Sequence, residues 1–150
     1  GDSVLAYFEP DQADVAVQAS LEILEELERL RQAAPSDSVL RLLYCGIGLS
    51  KGAVVEGNLG SSVKMDFTII GDPVNIAARL EGLTRQVKKS LVMSAEVRQS
   101  LRQDWDLEDL GLLALKGKKV KVQAFSLANP LVDQFISHQQ LVEGLAGLMK

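Results

Sequence analysis

The alternation of hydrophobic and polar positions predicts one long amphipathic helix near the start of the chain. Pro10 and Asp11 are typical of a helix start, and the helical pattern continues to about Ala33. Apolar residues recur at helical spacing and predict a buried stripe made of Ala16, Ala19, Ile23, Leu27 and Leu30. Charged residues occupy the opposite side, so the acidic run at 25–28 is interpreted as a solvated helix face.

Shorter apolar runs predict strands before and after this helix. Ser3–Phe8 and Val39–Leu49 both have the composition of β-strands. A turn at Ser50–Gly52 is predicted to return the chain as a hairpin partner over Ala53–Glu56, and the segment GNLGSS after it is predicted to be a loop.

The stretch from Val63 to Thr84 combines a strand, a glycine turn and the start of a helix. Residues 67–70 are β-prone and end at Gly71, after which Asp72 is predicted as the helix N-cap and Pro73 fits the first turn. Two polar residues four apart then share one helix face, and apolar residues with core spacing form another. The polar pair is Asn75 and Arg79, and the apolar set is Ile76, Leu80 and Leu83.

The next part of the chain predicts two further strands around a short helix. Ser90–Met93 has the pattern of a strand, and Ser94 is a typical N-cap for a helix that ends at about Leu101. The basic turn at 116–119 leads into a final strand over Val120–Leu127.

A change of pattern at Pro130 predicts a boundary. The residues that follow are helical in pattern, although Gly144 and Gly147 lower the helix propensity. We therefore predict an α+β domain over residues 1–128 and a helical extension or linker over residues 129–150.

Composition and charge exclude several classes of protein. With 47% hydrophobic and 24% charged residues among 150, the chain has the make-up of an ordinary globular domain. A net charge of −4 argues against a nucleic-acid polymer as partner, because binding many phosphates requires a basic face. No long apolar run or charged leader is present, so we predict no membrane span and a cytoplasmic location.

Several familiar site motifs are missing from the sequence. The only histidine, His138, is far along the chain from the only cysteine, Cys45, and no GxSxG motif occurs, which argues against a nucleophilic triad. Cys45 lies in an apolar run and is interpreted as a buried strand thiol, and His138 as a surface residue. Glycines 46, 48 and 52 are spaced GxGxxxG before a strand, whereas a dinucleotide fingerprint requires GxGxxG before a helix.

The polar residues that remain suit a polyphosphate ligand held together with a metal ion. They are Asp2, Thr68, Asn75, Arg79 and the lysines of the 116–119 turn. A turn aspartate can bind Mg²⁺, an arginine stabilises charge on a phosphate, and an asparagine supplies a directional hydrogen bond. Taken alone, each of these residues is more often an ordinary turn, strand or surface position, so spacing by itself predicts only an α+β domain.

An ordered set of motifs resembles the catalytic domain of class III nucleotidyl cyclases. The segments are GDSVLAYF, YCGIGLSKGAVVEGNLGSS, DFTIIGDPVNIAAR and LKGK before the last strand, and together they extend from Gly1 to about Leu127. Within the class, residues 46–86 are most similar to the bacterial adenylyl cyclases that follow a blue-light-sensing flavin domain. This narrower resemblance implies control by an upstream sensor domain, in which FAD is possible but would not be bound by this chain.

The resemblance implies a ferredoxin-like α+β fold that acts as a head-to-tail homodimer and converts ATP to cyclic AMP and pyrophosphate. Asp2 matches one of two aspartates that hold a pair of Mg²⁺ or Mn²⁺ ions. Thr68 falls at the base-selecting position, and Asn75 matches the asparagine that orients the ribose. Arg79 matches the arginine on the developing charge of the α-phosphate, and Lys116 the lysine that reaches the terminal phosphates.

The resemblance also implies that this stretch is the C-terminal portion of a longer catalytic domain. The family's first metal aspartate and its adenine-contacting lysine precede the Gly-Asp turn, so we expect these 150 residues alone to be inactive and to leave one sheet edge unpaired. Two alternatives are a guanylate cyclase, which Thr68 disfavours, and a catalytically inactive cyclase-like dimerisation module. By its position, the segment Ala53–Met65 is predicted to receive the regulatory input.

Overall fold

A short central strand organises the structure. The computed structural model describes residues 2–60, 65–117, 119 and 121–149, and the strand Leu91–Ser94 lies inside its four-stranded sheet. In chain order the elements are α1 (Ala13–Ala33), a 3₁₀ helix (Val39–Leu42), β1 (Ile47–Leu49), β2 (Val55–Gly60), β3 (Met65–Ile70), α2 (Asp72–Val87), β4 (Leu91–Ser94), α3 (Ala95–Ser100), β5 (Leu107–Ala114), β6 (Lys121–Leu127) and α4 (His138–Leu148).

The sheet is mixed, with the strand order β1-β4-β6-β5. Strands β1 and β4 are parallel, with Ile47 opposite Leu91, whereas β6 is antiparallel to both β4 and β5. A parallel pair requires a long crossover, and here the crossover contains α2 together with a separate antiparallel ribbon formed by β2 and β3. The predicted α+β arrangement is confirmed.

Helices cover both faces of the sheet and form two apolar cores. On one face, α1 and α3 pack with Leu91 and Met93 of β4, and on the other face α2 packs with Val92. This division follows from the alternation of side chains along a strand. All four residues of β4 are buried, as expected for a strand that is covered on both sides.

Helix α1 forms as predicted but with a different buried face. It begins at Ala13 rather than at Pro10, and its buried residues are Ala16, Val17, Ser20 and Leu24. Ile23, which was assigned to the buried stripe, is 50% exposed. The predicted stripe was therefore correct at Ala16 and wrong at Ile23. Ser20 can take a core position because its hydroxyl donates a hydrogen bond to the backbone carbonyl of Ala16.

The strand predicted over Ser3–Phe8 does not form. Residues 2–9 belong to neither a helix nor a strand, and Val4 is 95% exposed. A strand is defined by a hydrogen-bonded neighbour, and no strand of the described residues pairs with this segment.

The prediction for residues 39–62 was wrong in its pairing. Val39–Leu42 is a 3₁₀ helix, and only Ile47–Leu49 of the predicted strand is extended. The segment after the 50–52 turn does not return along β1. It enters β2, which pairs with β3 and includes residues 57–60 of the predicted loop, while residues 61–64 lie outside the described part.

The predictions from residue 65 to residue 127 agree closely with the structure. Strand β3 precedes α2, although the N-cap of α2 is Gly71 and Asp72 lies in the first turn. Ser94 caps α3 by accepting a hydrogen bond from the backbone N–H of Val97, as its sequence signature predicts.

The residues after β6 remain attached to the sheet before α4 begins. The backbone N–H of Ser90 donates to the carbonyl of Val132 at 2.7 Å, and Val132 is fully buried in the α1-side core. Lys89 forms ion pairs with Asp133 and, at 2.6 Å, with Glu108. The domain boundary at residue 128 stays a prediction.

Helix α4 ends the described chain. It begins with a capping box formed by Ser137 and Gln140, and it packs closely on the 3₁₀ helix where Gly144 meets Leu42. His138, its first residue, is exposed as predicted. Across the helices of the described residues, none has the length and apolar character needed to cross a membrane.

Candidate active site

Helix α2 carries two of the predicted site residues. Its first turn contains Pro73, which fits there because a first-turn residue needs no backbone donor. Leu80 and Leu83 are buried against the sheet, whereas Asn75 is exposed and Arg79 is half-buried. The sequence therefore divides the helix into a core face and a polar face, and the polar face is available to a ligand.

Small residues at alternating positions around β1 let α2 lie close to the sheet. A Cβ atom on Gly48 would overlap the carbonyl oxygen of Ala77 and lie 2.5 Å from the backbone nitrogen of Glu81. A Cβ on Gly46 would likewise collide with the side chain of Thr84. These glycines, which do not match a dinucleotide fingerprint, act as packing residues that bring the backbone of α2 against the strand.

The turn between β5 and β6 lies beside Arg79. Gly117 in this turn has a left-handed φ of +80°, and a Cβ placed on it would lie 3.8 Å from Nη2 of Arg79. Lys116, the preceding residue, is exposed. The turn that contains Lys116 therefore lies close to the Arg79 side chain, and Asn75 is one helical turn away from Arg79 on α2. Such a surface can bind the phosphates and the sugar of a nucleotide.

The other two predicted site residues, Asp2 and Thr68, lie outside α2 and the β5–β6 turn. Asp2 is exposed in the segment that precedes α1. The backbone of Thr68 lies in β3 opposite Gly57, but its side chain is outside the described part of the structure. The structure thus brings together Arg79 and the Lys116 turn. The roles of all five predicted site residues stay predictions.

A metal site is not completed by this part of the chain. Within residues 2–60, 65–117, 119 and 121–149, no group of three or more His, Cys, Asp or Glu side chains is arranged to hold a metal ion. Asp2 offers one exposed carboxylate, which suits Mg²⁺ or Mn²⁺ as a single ligand but not as a full ligand set.

Cys45 lies near Glu81 of α2 and is not one of the predicted site residues. The residue is half-buried just before β1, rather than within a strand as predicted. Burial raises the pKa of its thiol, and the negative charge of Glu81 adds to the effect. A thiol with a raised pKa is protonated at neutral pH and is a poor nucleophile, which agrees with the interpretation of Cys45 as a packing residue.

Sequence reasoning missed the residues that hold the start of α2. The hydroxyl of Ser50 donates a hydrogen bond to the carbonyl of Pro73, and Gly52 lies against the Pro73 ring. A usable signal was present, because Gly46, Gly48, Ser50 and Gly52 place four small residues at a spacing of two. Such alternation is typical of a strand face that packs closely against another backbone.

Comparison with known families and relatives agrees with the motif resemblance. The profile of the family described as "Adenylate and Guanylate cyclase catalytic domain" matches residues 5–129. The photoactivated adenylate cyclase subunit alpha of Euglena gracilis is 34% identical over 131 residues, which cover 86% of this chain and 13% of the relative. An adenylate cyclase of Anabaena cylindrica is 33% identical over 104 residues, covering 67% of this chain and 21% of the relative. The chain thus spans only a small part of these relatives.

Solved structures show the same fold. A bacterial light-regulated adenylyl cyclase superposes with a TM-score of 0.83 at 37% sequence identity, over 95% of this chain and 41% of that one. A guanylate cyclase domain from Catenaria anguillulae superposes with a TM-score of 0.59 at 24% identity, over 85% of this chain and 63% of that one, which shows a shared fold. The ferredoxin-like cyclase architecture implied by the motifs is therefore confirmed, and the chain belongs to the adenylate and guanylate cyclase catalytic domain family.

Proposed function

We propose that this chain is the catalytic part of a cytoplasmic adenylate cyclase that converts ATP to 3′,5′-cyclic AMP and pyrophosphate. The observation that carries the proposal is the placement of Arg79 beside the Lys116 turn, one helical turn from the exposed Asn75. The 37% identity to a bacterial light-regulated adenylyl cyclase supports ATP as the substrate.

The proposed chemistry is an intramolecular phosphoryl transfer. The 3′-oxygen of the ribose attacks the α-phosphorus and loses its proton, while the bond from that phosphorus to the oxygen bridging the β-phosphate breaks. Asn75 would orient the ribose, and Arg79 would stabilise the negative charge that develops on the α-phosphate oxygens. Lys116 would hold the terminal phosphates, which leave as pyrophosphate.

The base and metal assignments extend the proposal. Thr68 would contact adenine, since a hydroxyl at this position goes with adenine in the family that the motifs resemble. Asp2 would be one ligand of bound Mg²⁺ or Mn²⁺, which would neutralise phosphate charge and lower the pKa of the 3′-hydroxyl.

The assembly we propose is a homodimer whose sites are shared between two copies. Asn75 and Arg79 lie on a helix face that is not covered by their own core, so the nucleotide would lie between this face and the second copy. Control by an upstream sensor domain, with FAD possible there, is suggested by the names of the photoactivated relatives.

The first prediction concerns Arg79 and tests the proposal. In the protein expressed from its complete reading frame, Arg79→Ala should lower kcat about 10²- to 10³-fold, because a preorganised donor to the transition state is lost. The assay supplies ATP or GTP with Mg²⁺ or Mn²⁺ and measures cyclic AMP, cyclic GMP and pyrophosphate by chromatography. Arg85→Ala is the matched control, because Arg85 is an exposed arginine in the last turn of the same helix.

The possible outcomes separate the alternatives. Cyclic AMP that disappears with Arg79→Ala and persists with Arg85→Ala supports the proposal. Cyclic GMP as the main product would instead identify a guanylate cyclase. A folded, dimeric protein that forms neither cyclic nucleotide would favour an inactive dimerisation module and would contradict the proposal.

A further inference from the structure

The loop between β1 and β2 contacts the first turn of α2 at two points. The hydroxyl of Ser50 donates a hydrogen bond to the backbone carbonyl of Pro73. Two residues further on, a Cβ on Gly52 would lie 2.5 Å from Cγ of Pro73, so the backbone at Gly52 lies directly against the proline ring. One short loop thus holds the helix start both by a polar bond and by close packing.

The same loop is fixed on its other side by Lys51. The Nζ of Lys51 donates to the carbonyl of Pro10 at 3.0 Å and to Oγ of Ser100 at 2.8 Å. These partners lie just before α1 and at the end of α3. Because alternate residues of an extended segment point in opposite directions, the loop can join the start of α2 to elements that pack on the opposite face of the sheet.

The first two turns of α2 are less deeply buried than the turns that follow. From Asp72 to Arg79 every residue is exposed or half-buried, whereas Leu80, Leu83 and Thr84 further along the helix are buried. Apolar packing therefore holds the C-terminal half of α2 more firmly than the half that carries Asn75 and Arg79. The hydrogen bond from Ser50 acts on this less buried half.

We propose that Ser50 is a positioning residue, which fixes the first turn of α2 through Pro73 and thereby sets where Asn75 and Arg79 lie relative to the substrate. The inference rests on the proposed cyclase function. Ser50 itself contacts the helix backbone, so its influence on the reaction passes through the two α2 side chains. A displacement of these side chains by about 1 Å is enough to lower the rate of a reaction that depends on their orientation.

The kinetic test uses the protein from its complete reading frame. Ser50→Ala should lower kcat about 10-fold and change KM for ATP less than about 2-fold, since the lost interaction positions groups that act in the transition state. Ser50→Thr, which retains the hydroxyl, should restore most of the rate. In an Arg79→Ala background, Ser50→Ala should cause a smaller further loss of kcat, because one of the two positioned groups is already absent and only Asn75 remains.

A second measurement does not depend on activity. Hydrogen exchange of the backbone amides at 74–78 should become faster in Ser50→Ala and stay slow in Ser50→Thr, while exchange in α1 stays unchanged. Ser126→Ala is the matched control, because the Ser126 hydroxyl also donates to a backbone carbonyl, that of Leu91 in β4 at 2.6 Å, and not to the start of α2. Ser126→Ala should lower the melting temperature. Hydrogen exchange at 74–78 and kcat should both stay as in the unsubstituted protein.

Each outcome decides one part of the proposal. Unchanged exchange at 74–78 in Ser50→Ala would overturn the anchoring of α2, and faster exchange with an unchanged kcat would overturn its catalytic consequence. If Ser50→Ala lowers kcat by the same factor with and without the Arg79 side chain, the positioning of Arg79 by Ser50 is overturned. If the unsubstituted protein forms no cyclic nucleotide, the proposed function fails, and the exchange data still decide whether Ser50 anchors the helix.

Discussion

At the scale of single residues, the Asp14 carboxylate accepts hydrogen bonds from three different residues. It lies in the first turn of α1 and accepts hydrogen bonds from the indole Nε1 of Trp105 at 2.8 Å and from the backbone N–H groups of Arg102 and Gln103, each at 3.0 Å. These bonds join the start of α1 to the segment that follows α3. The sequence showed an acidic residue at a helix start but nothing that identified its distant partners.

The bonds to Asp14 predict a pH-dependent contribution to stability. The Trp105 indole, followed by the two backbone amides, holds the pKa of Asp14 below its ordinary value. Its stabilising effect is therefore complete above the pKa of the unfolded chain and is lost as the pH falls through the lowered pKa of the folded state. Asp14→Ala should lower the free energy of unfolding by about 1–2 kcal/mol at pH 7, allowing for screening by solvent, and by progressively less below about pH 4.

Urea unfolding followed by the fluorescence of the single tryptophan, with circular dichroism as a second probe, measures this effect. Asp11→Ala is the control, because Asp11 is exposed one turn earlier. Asp11→Ala should change the free energy of unfolding by less than about 0.5 kcal/mol, both at neutral and at acidic pH. A difference between Asp14→Ala and the parent protein that stays constant from neutral to acidic pH would contradict the prediction.

At the scale of elements, the position of α2 depends on the absence of side chains along β1. Gly48→Ala should lower the free energy of unfolding by about 1–3 kcal/mol, since the new methyl group would overlap the helix backbone at Ala77 and Glu81. Gly82→Ala should instead stabilise the protein by about 0.5–1 kcal/mol, because Gly82 is exposed on α2 with open space around its Cα. Thermal and urea unfolding compare the stability of the two variants. An unchanged free energy of unfolding in Gly48→Ala would show that α2 can move away from the strand.

The same element shows what the sequence can predict. Helix α2 was predictable because its signals are local: a proline after a glycine turn, then apolar and polar residues at helical spacing. The pairing of β2 with β3 was not, since the 50–52 loop resembles a hairpin turn and only long-range contacts show that it contacts Pro73 instead. Strand pairing depends on which partner edges are available, and spacing along the chain contains no information on that point.

The candidate site divides in the same way. The shared face of Asn75 and Arg79 follows directly from their spacing of four on a helix. The approach of Arg79 to the Gly117 turn joins residues from α2 and the β5–β6 hairpin, and only the motif resemblance anticipated it. For Ser50, the spacing of small residues at 46, 48, 50 and 52 indicated close packing. The sequence did not identify its partner, because a backbone carbonyl does not depend on the residue type at position 73.

At the scale of the whole molecule, the residues that follow β6 are packed into the α1-side core. Val132→Ala should lower the free energy of unfolding by about 2 kcal/mol, because Val132 is fully buried and its loss leaves a cavity. Val142→Ala, at a position of α4 that is 49% exposed, should cost less than about 0.5 kcal/mol. Chemical unfolding distinguishes them, and equal small effects would indicate that residues 129–150 behave throughout as the separate extension that the sequence predicts.

The two cores meet in β4, and this has a consequence for how the domain unfolds. Leu91 and Met93 serve the core beneath α1, and Val92, between them, serves the core beneath α2. Unfolding of either core would expose β4, on which the other core also packs. Neither core can therefore unfold alone without a large cost in free energy. The two layers therefore form one cooperative unit, in which damage on the side of α1 is transmitted to the helix that carries Asn75 and Arg79.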